Sequence, residues 1–271
     1  MRDLKNIMLL SDMDGTLLNS KSEVSEKNKQ AIRDFVARGG RFGIATGRSH
    51  LNSKKFTDEV DINTPCIMYN GCGLFDYSSN EFLKIYELPK AKLKKFLNDC
   101  LKNYRNVNIQ IYSPYMCHIV SEEALANKEL TSIHQPCEFC RVEDIEEKPW
   151  IKILLFGETE DLNSIENTVR EFGLEGEIDT VYSSKNFLEL LPFGVSKGSM
   201  LLDLKEILEE SYKVYAVGDY NNDKEMLINA DVGIAIGNAI QALKEIADYV
   251  TVSNDEDAIA EVIYNIILKG E

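Results

Sequence analysis

The sequence predicts an α/β protein: a doubly wound, mostly parallel sheet interrupted by an inserted α+β domain. Three observations carry that prediction. Short apolar runs alternate with helical stripes at both ends of the chain, the strand–helix–strand grammar of a parallel sheet. Polar and glycine residues gather where successive apolar runs end, the edge at which open α/β sheets bind ligands. In the middle third the grammar changes to hairpins and two longer helices, then changes back.

In chain order, residues 7–11 form a bounded apolar run that reads as a buried strand. Ser25 is a suitable N-cap with Glu26 in the first turn, Ile32, Phe35 and Val36 supply an apolar stripe, and Gly39-Gly40 ends the helix. Residues 41–46 read as a second strand, 49–56 as a helix and 66–69 as a third strand. Residues 74–77 and 82–86 flank Ser78-Ser79-Asn80 as a hairpin. Leu93, Phe96, Leu97, Cys100, Leu101 and Tyr104 keep helical spacing, as do Leu162, Ile165, Val169 and Phe172. Strands are expected at 107–112, 116–120, 151–156, near Val181 and at 187–191. From Ser196 the first grammar resumes: helix, strand 214–217, helix 224–228, strand 232–236, helix 239–246, strand 249–251 and a last helix over 258–268. The expected division is therefore a core of residues 1–84 and 191–271, with residues 85–190 as the insertion.

The 271 residues are 44% hydrophobic and carry a net charge of −15. Such a balance argues against non-specific binding to nucleic acid backbones or anionic membranes. Six scattered cysteines read as reduced thiols, and the first apolar run is too brief for a signal peptide, so a cytoplasmic location is expected. Cys137 and Cys140 form a single CxxC with His134, Cys117 and His118 in the neighbourhood. One such pair reads as ordinary cysteines, since zinc sites usually show two. The lysine-rich stretch 90–95 reads as a solvated helix face.

The chemistry concentrates at the strand ends. Asp12 and Asp14 follow the first strand, and side chains two apart point the same way. Asp-Gly is a common turn pair, but that leaves the second acid without a reason. Two converging carboxylates need a cation or a proton between them. As nucleophile and proton shuttle they can divide a phosphoryl displacement into two easier steps. Thr46, Gly47 and Arg48 end the second strand, where a hydroxyl and an accessible amide suit a phosphate oxygen. Lys197, in the first turn of a helix, stands against the helix macrodipole and can serve as a point charge holding carboxylate and phosphate. Asp219 ends a later strand and is the stronger metal candidate, while Asn222 or Asp223 can instead cap the next helix. A few hard oxygen ligands suit Mg²⁺.

Asp12-Met13-Asp14-Gly15-Thr16-Leu17, Thr46-Gly47-Arg48, Lys197 and Gly218-Asp219-Tyr220-Asn221-Asn222-Asp223 together resemble the haloacid dehalogenase-like hydrolases. Asn70-Gly71 and Gly237-Asn238-Ala239 make the chain similar to the Cof-type subfamily, which has a Rossmann-like core and a cap inserted between the second and third motifs. The resemblance implies a Mg²⁺-dependent phosphatase acting on small phosphorylated metabolites, above all sugar phosphates. It implies that Asp12 is nucleophile and metal ligand, that Asp14 is general acid/base and a ligand through its carbonyl, and that Asp219 is the third ligand. Asn222 and Asp223 complete the candidate metal set. Met13, Thr46, Gly47, Arg48, Lys197 and Asn222 would hold phosphate, and Asn70 and Gly71 would meet substrate. A phosphomutase or a non-enzymatic aspartyl-phosphate switch are the alternatives. Oligomeric state is left open between monomer and homodimer.

Overall fold

The structure, a computed structural model, describes residues 4–121, 135–209 and 211–269. His134 lies outside the described residues. The chain divides into two compact units, one of Met1–Lys84 with Ser196–Glu271 and one of Ile85–Val195.

The first unit is built on five parallel strands: β1 (Ile7–Ser11), β2 (Arg41–Ile44), and three strands after the insertion. All five residues of β1 are buried, which accounts for the unbroken apolar run. Helix α1 (Glu26–Ala37) follows β1, opened by Ser25, whose side chain accepts from Asn28 N. Helix α2 (His50–Thr57) opens in the same way on Ser49. β3 (Cys66–Met68) continues beside β2 through a parallel bridge between Ala45 and Ile67. It also starts a three-stranded sheet with β4 (Gly73–Asp76) and β5 (Glu81–Ile85).

β3 stops one residue earlier than the apolar pattern suggests. Tyr69, Asn70 and Gly71 all take positive φ (54°, 57° and 104°), which no strand accommodates. Gly71 is obligatory there: a Cβ would lie 2.1 Å from the Ser196 carbonyl oxygen. A bulky tyrosine at positive φ marks strain held by its surroundings.

In the second unit come α3 (Lys90–Asn103), β6 (Asn108–Ser113), β7 (Met116–Ile119), β8 (Cys137–Phe139), β9 (Lys152–Phe156), α4 (Thr159–Thr168), β10 (Ile178–Ser184) and β11 (Phe187–Pro192). The six strands form one sheet in the order β10-β11-β9-β6-β7-β8. The pairings are antiparallel except β7 with β8. Its core is the buried set around Trp150, Phe96, Leu97, Ile109, Ile153 and Leu188. β8 was not legible as a strand, because its pattern of exposed, half-buried and exposed residues has no apolar signature. The lysines of α3 that read as a solvated face do face solvent, with Lys94 paired to Glu146 at 2.6 Å.

The return to the first unit comes at α5 (Lys197–Leu208), then β12 (Lys213–Gly218), α6 (Lys224–Asn229), β13 (Val232–Ala235), α7 (Gln241–Lys244), β14 (Tyr249–Val250) and α8 (Ala258–Glu261), which runs on into a wider turn over Val262–Ile267. The core sheet has the order β14-β13-β12-β1-β2. Chain order thus runs one way from β1 to β2 and the other way from β12 to β14. Right-handed crossovers then place α1 and α6 on opposite faces. The crevice where the direction reverses lies between the carboxyl ends of β1 and β12.

Candidate active site

Each functional side chain reaches that crevice by a local device. Asp12 directly follows β1, its amide donating to the Val217 carbonyl of β12 at 2.8 Å. The chain then turns sharply over residues 13–17, with Gly15 at φ 80°. A Cβ on Gly15 would come within 2.5 Å of the Asp219 carboxylate, so only glycine lets the loop from β1 approach the loop from β12 this closely. Thr16 Oγ1 donates to Asp219 Oδ1 at 3.3 Å and stitches the two loops together. Asn238 does the same from behind, its Nδ2 donating to the Gly15 carbonyl at 2.9 Å.

Lys197 is the first residue of α5. Ser196 caps that helix by accepting from Ser199 N, and the tight seat of Gly71 against Ser196 fixes where it starts. The Lys197 ammonium is fully buried and bridges two carboxylates, Asp12 Oδ1 at 2.6 Å and Asp223 Oδ1 at 2.7 Å. Asp223 Oδ2 accepts from the amides of Asp219 at 3.0 Å and Tyr220 at 3.1 Å. That acid is therefore both the second counter-charge of Lys197 and the clamp on the loop carrying Asp219.

Burial pushes the Asp12 carboxyl well above the usual carboxylate range; Lys197 pulls it back, while Asp223 and Asp219 push it further up. Burial also works against the Lys197 ammonium, but Asp12 and Asp223 outweigh it and hold its pKa above that of an ordinary lysine. Asp219 is pushed up to about 6, by burial first and by the Asp223 carboxylate second. Carboxylate oxygens of Asp12, Asp219 and Asp223 lie within 4.8 Å of one another. One ammonium does not neutralise this group, and a divalent cation held by hard oxygen donors would. The donor set thus fits a metal of that class.

The expected phosphate-side residues divide. Thr46 is buried, and its Oγ1 accepts from Arg48 N at 3.1 Å, closing the Thr46–Arg48 turn. A Cβ on Gly47 would press on the Asn70 amide at 3.0 Å, so the two turns are packed together. Asn222 Nδ2 donates to Asn70 Oδ1 at 3.0 Å, which joins the β12 loop to the β3 turn. Met13 has its side chain in the core, and its carbonyl accepts from Leu18 N at 2.9 Å. Arg48 holds the Asp14 carboxylate with two donors, Nε at 2.7 Å and Nη2 at 2.5 Å. Asn70 and Gly71 are buried, Asn70 against Asn222 and Gly71 against Ser196. The pairing of Asp14 with Arg48 had no sequence signal, because the two residues are joined only by the fold. Asn238 had one, its place in Gly237-Asn238-Ala239.

This constellation can be set beside known proteins. A model of the haloacid dehalogenase-like hydrolases matches residues 9–263. The 5-amino-6-(5-phospho-D-ribitylamino)uracil phosphatase YcsE of Bacillus subtilis is 30% identical over 98% of this chain and 97% of its own. The chloroplastic endoribonuclease YBEY of Arabidopsis thaliana is 29% identical over 94% of this chain, which spans 46% of that longer protein. Among solved structures, a haloacid dehalogenase-like hydrolase from Bacteroides thetaiotaomicron superposes with a TM-score of 0.84 at 28% identity, covering 96% of this chain and 99% of that one. The family match takes in both loops that meet at the β1–β12 reversal and the whole insertion between them. The chain is therefore a member of the haloacid dehalogenase-like hydrolases.

Proposed function

We propose that this chain is a Mg²⁺-dependent phosphatase that hydrolyses small phosphate monoesters, sugar phosphates above all, through an aspartyl phosphate on Asp12. The observation that carries the reading is the buried Lys197 bridge between Asp12 and Asp223, beside Asp219, at the reversal point of the sheet. A surface turn would need neither a buried ammonium nor this set of acids. The phosphatase named among the relatives acts on a phosphorylated ribityl chain, which supports a polyol or sugar phosphate here.

Lys197 fixes one oxygen of Asp12, so the carboxylate presents its other oxygen to phosphorus. That oxygen forms the new P–O bond while the ester P–O bond breaks, and Asp14, which takes up a solvent proton on leaving Arg48, gives that proton to the leaving alcohol oxygen. Water then attacks phosphorus, its proton passes to Asp14, and the Asp12–phosphorus bond breaks to release inorganic phosphate. Proton transfer by Asp14 requires that Arg48 release it, so the pair is a resting arrangement that substrate phosphate displaces. Asp12 and Asp219 carboxylates and the Asp14 carbonyl would hold Mg²⁺, which supplies neutralising charge to the transferring phosphoryl group. Residues 85–190 are assigned the choice of substrate.

Hydrolysis of an aryl phosphate with and without Mg²⁺ tests the reading. Activity should require the metal and fall by about 10³-fold or more in Asp12→Asn. Comparable turnover in that variant would sink the covalent mechanism.

A further inference from the structure

We propose that the second unit carries a Zn²⁺ site of its own, built from His118, Glu138 and Cys140 and separate from the acidic group of the first unit. The inference stands on strand register and on one hydrogen-bond chain, and it is independent of the phosphatase reading.

β7 and β8 run parallel with Cys117 opposite Cys137 and His118 opposite Glu138. Paired residues share a face and successive residues alternate. His118 and Glu138 therefore project from one face, Cys117 and Cys137 from the other. The ladder extends one step past β8, where Cys140 N donates to the Ile119 carbonyl at 3.1 Å. Cys140, two residues beyond Glu138, returns to the His118 face. Ligating atoms of His118, Glu138 and Cys140 all lie within 4.8 Å of one another. The two thiols of the CxxC do not form a site together. They face opposite ways, and the ligand set runs across the strands instead.

The protons on His118 sharpen the case. Ser113 Oγ donates its only hydrogen to the Pro149 carbonyl at 2.8 Å. With that hydrogen on Pro149, the contact with His118 Nε2 at 3.0 Å is one in which Nε2 donates. In the neutral ring this leaves Nδ1 as a bare lone pair. It faces Glu138 Oε1 at 2.7 Å, from a side chain that is wholly buried. A lone pair and a carboxylate oxygen repel at that distance, and either a proton on Nδ1 or a metal ion held by both relieves it. Lys148 reaches the same carboxylate at 2.9 Å, which offsets the charge of Glu138 without joining it to the imidazole. Ser113 does for His118 what outer-sphere partners do for metal-bound histidines: it fixes the tautomer and aims the free nitrogen.

One imidazole, one carboxylate and one thiolate make a mixed donor set of the kind Zn²⁺ takes, with a fourth position for water. Glu138 and Cys140 are only partly buried, so an ion can enter from solvent. On binding, Zn²⁺ displaces one proton from the Cys140 thiol, forming a metal–sulfur bond and releasing H⁺. The acids of the first unit offer oxygen alone, which makes the two sites separable by spectroscopy.

The test is a Co²⁺ titration of the full chain, stripped of metal and with thiols kept reduced. One equivalent should produce a thiolate-to-cobalt charge-transfer band in the near ultraviolet, and stoichiometric Zn²⁺ should abolish it. The band should persist in Asp12→Asn and in Cys137→Ser, vanish in Cys140→Ser, and require at least about tenfold more Co²⁺ in Glu138→Gln. Absence of the band in the parent protein, its survival in Cys140→Ser, or its loss in Cys137→Ser would each overturn the proposal.

Discussion

Replacing Lys197 with methionine removes a charge while keeping most of the side-chain volume. The ammonium is fully enclosed, and its partners Asp12 and Asp223 have side chains 7% and 0% exposed. Without it, Asp12 and Asp223 face each other and Asp219 with no counter-charge. Removing one partner of a buried ion pair costs about 3–5 kcal/mol at neutral pH. A chain of this size withstands such a loss, because folded proteins hold about 5–15 kcal/mol. The cost depends on pH in a definite direction. Asp12 and Asp219 already have folded-state pKa values raised above their unfolded ones, and losing the ammonium that lowers both raises them further, so the folded variant binds more protons in that window. Its stability therefore recovers as pH falls and drops as pH rises through the raised values. Asp219, already pushed up to about 6 in the intact site, places the upper part of that window near neutrality. Urea unfolding followed by circular dichroism at pH 7.5 and pH 5.5 measures both effects. We expect a loss of about 4 kcal/mol at the higher pH and roughly half of that at the lower. A deficit under about 1 kcal/mol, or one equal at both pH values, would refute the bridging role of Lys197.

Other residues give sharper local tests. Gly71→Ala forces a Cβ to within 2.1 Å of the Ser196 carbonyl oxygen at φ 104° and should destabilise by about 2 kcal/mol or more in a thermal melt. It should also lower kcat by displacing Lys197. Asn238→Ala loses the bond to the Gly15 carbonyl and should cost about 1 kcal/mol, with a fall in kcat larger than any change in KM for an aryl phosphate. His50, packed on Phe75 and Phe82 and held by burial at a pKa of about 4, stays neutral in the fold. Its contribution is complete above the unfolded value of 6.5 and is lost as pH falls toward 4, about 2 kcal/mol after allowing for solvent screening. His50→Gln should flatten that part of the acid-unfolding curve relative to the parent chain.

The helix starts were readable because their chemistry is local. Ser25, Ser49 and Ser196 each accept from the amide three residues on. The end of β1 was readable for the same reason, since an apolar strand running into two acids and a glycine carries more charge than a turn requires. What could not be read was which way each acid turns. Asp223 reads equally as a metal ligand and as a helix cap, and only the fold shows one of its oxygens on Lys197 and the other on two backbone amides. Arg48 reads as a phosphate ligand because its neighbours suit phosphate, yet its guanidinium turns to Asp14. The single Cys137–Cys140 pair reads as ordinary cysteines, and the spacing does not show that strand alternation sets the two thiols on opposite faces.

The order of the core sheet bears on how the chain comes together during synthesis. β1 is bordered by β2 on one side and by β12 on the other, and β12 is made about two hundred residues later. Until residues 213–218 emerge, β1 has a bare apolar edge in the middle of the future sheet. Such an edge invites pairing with the wrong strand or another chain. The insertion, with its own core, can condense in the meantime. The unit that contains Asp12 completes its sheet after the insertion, although its first strands precede the insertion in the chain. Conditions that slow translation beyond Val195 should therefore raise aggregation of the nascent chain more than conditions that slow it before Ile85.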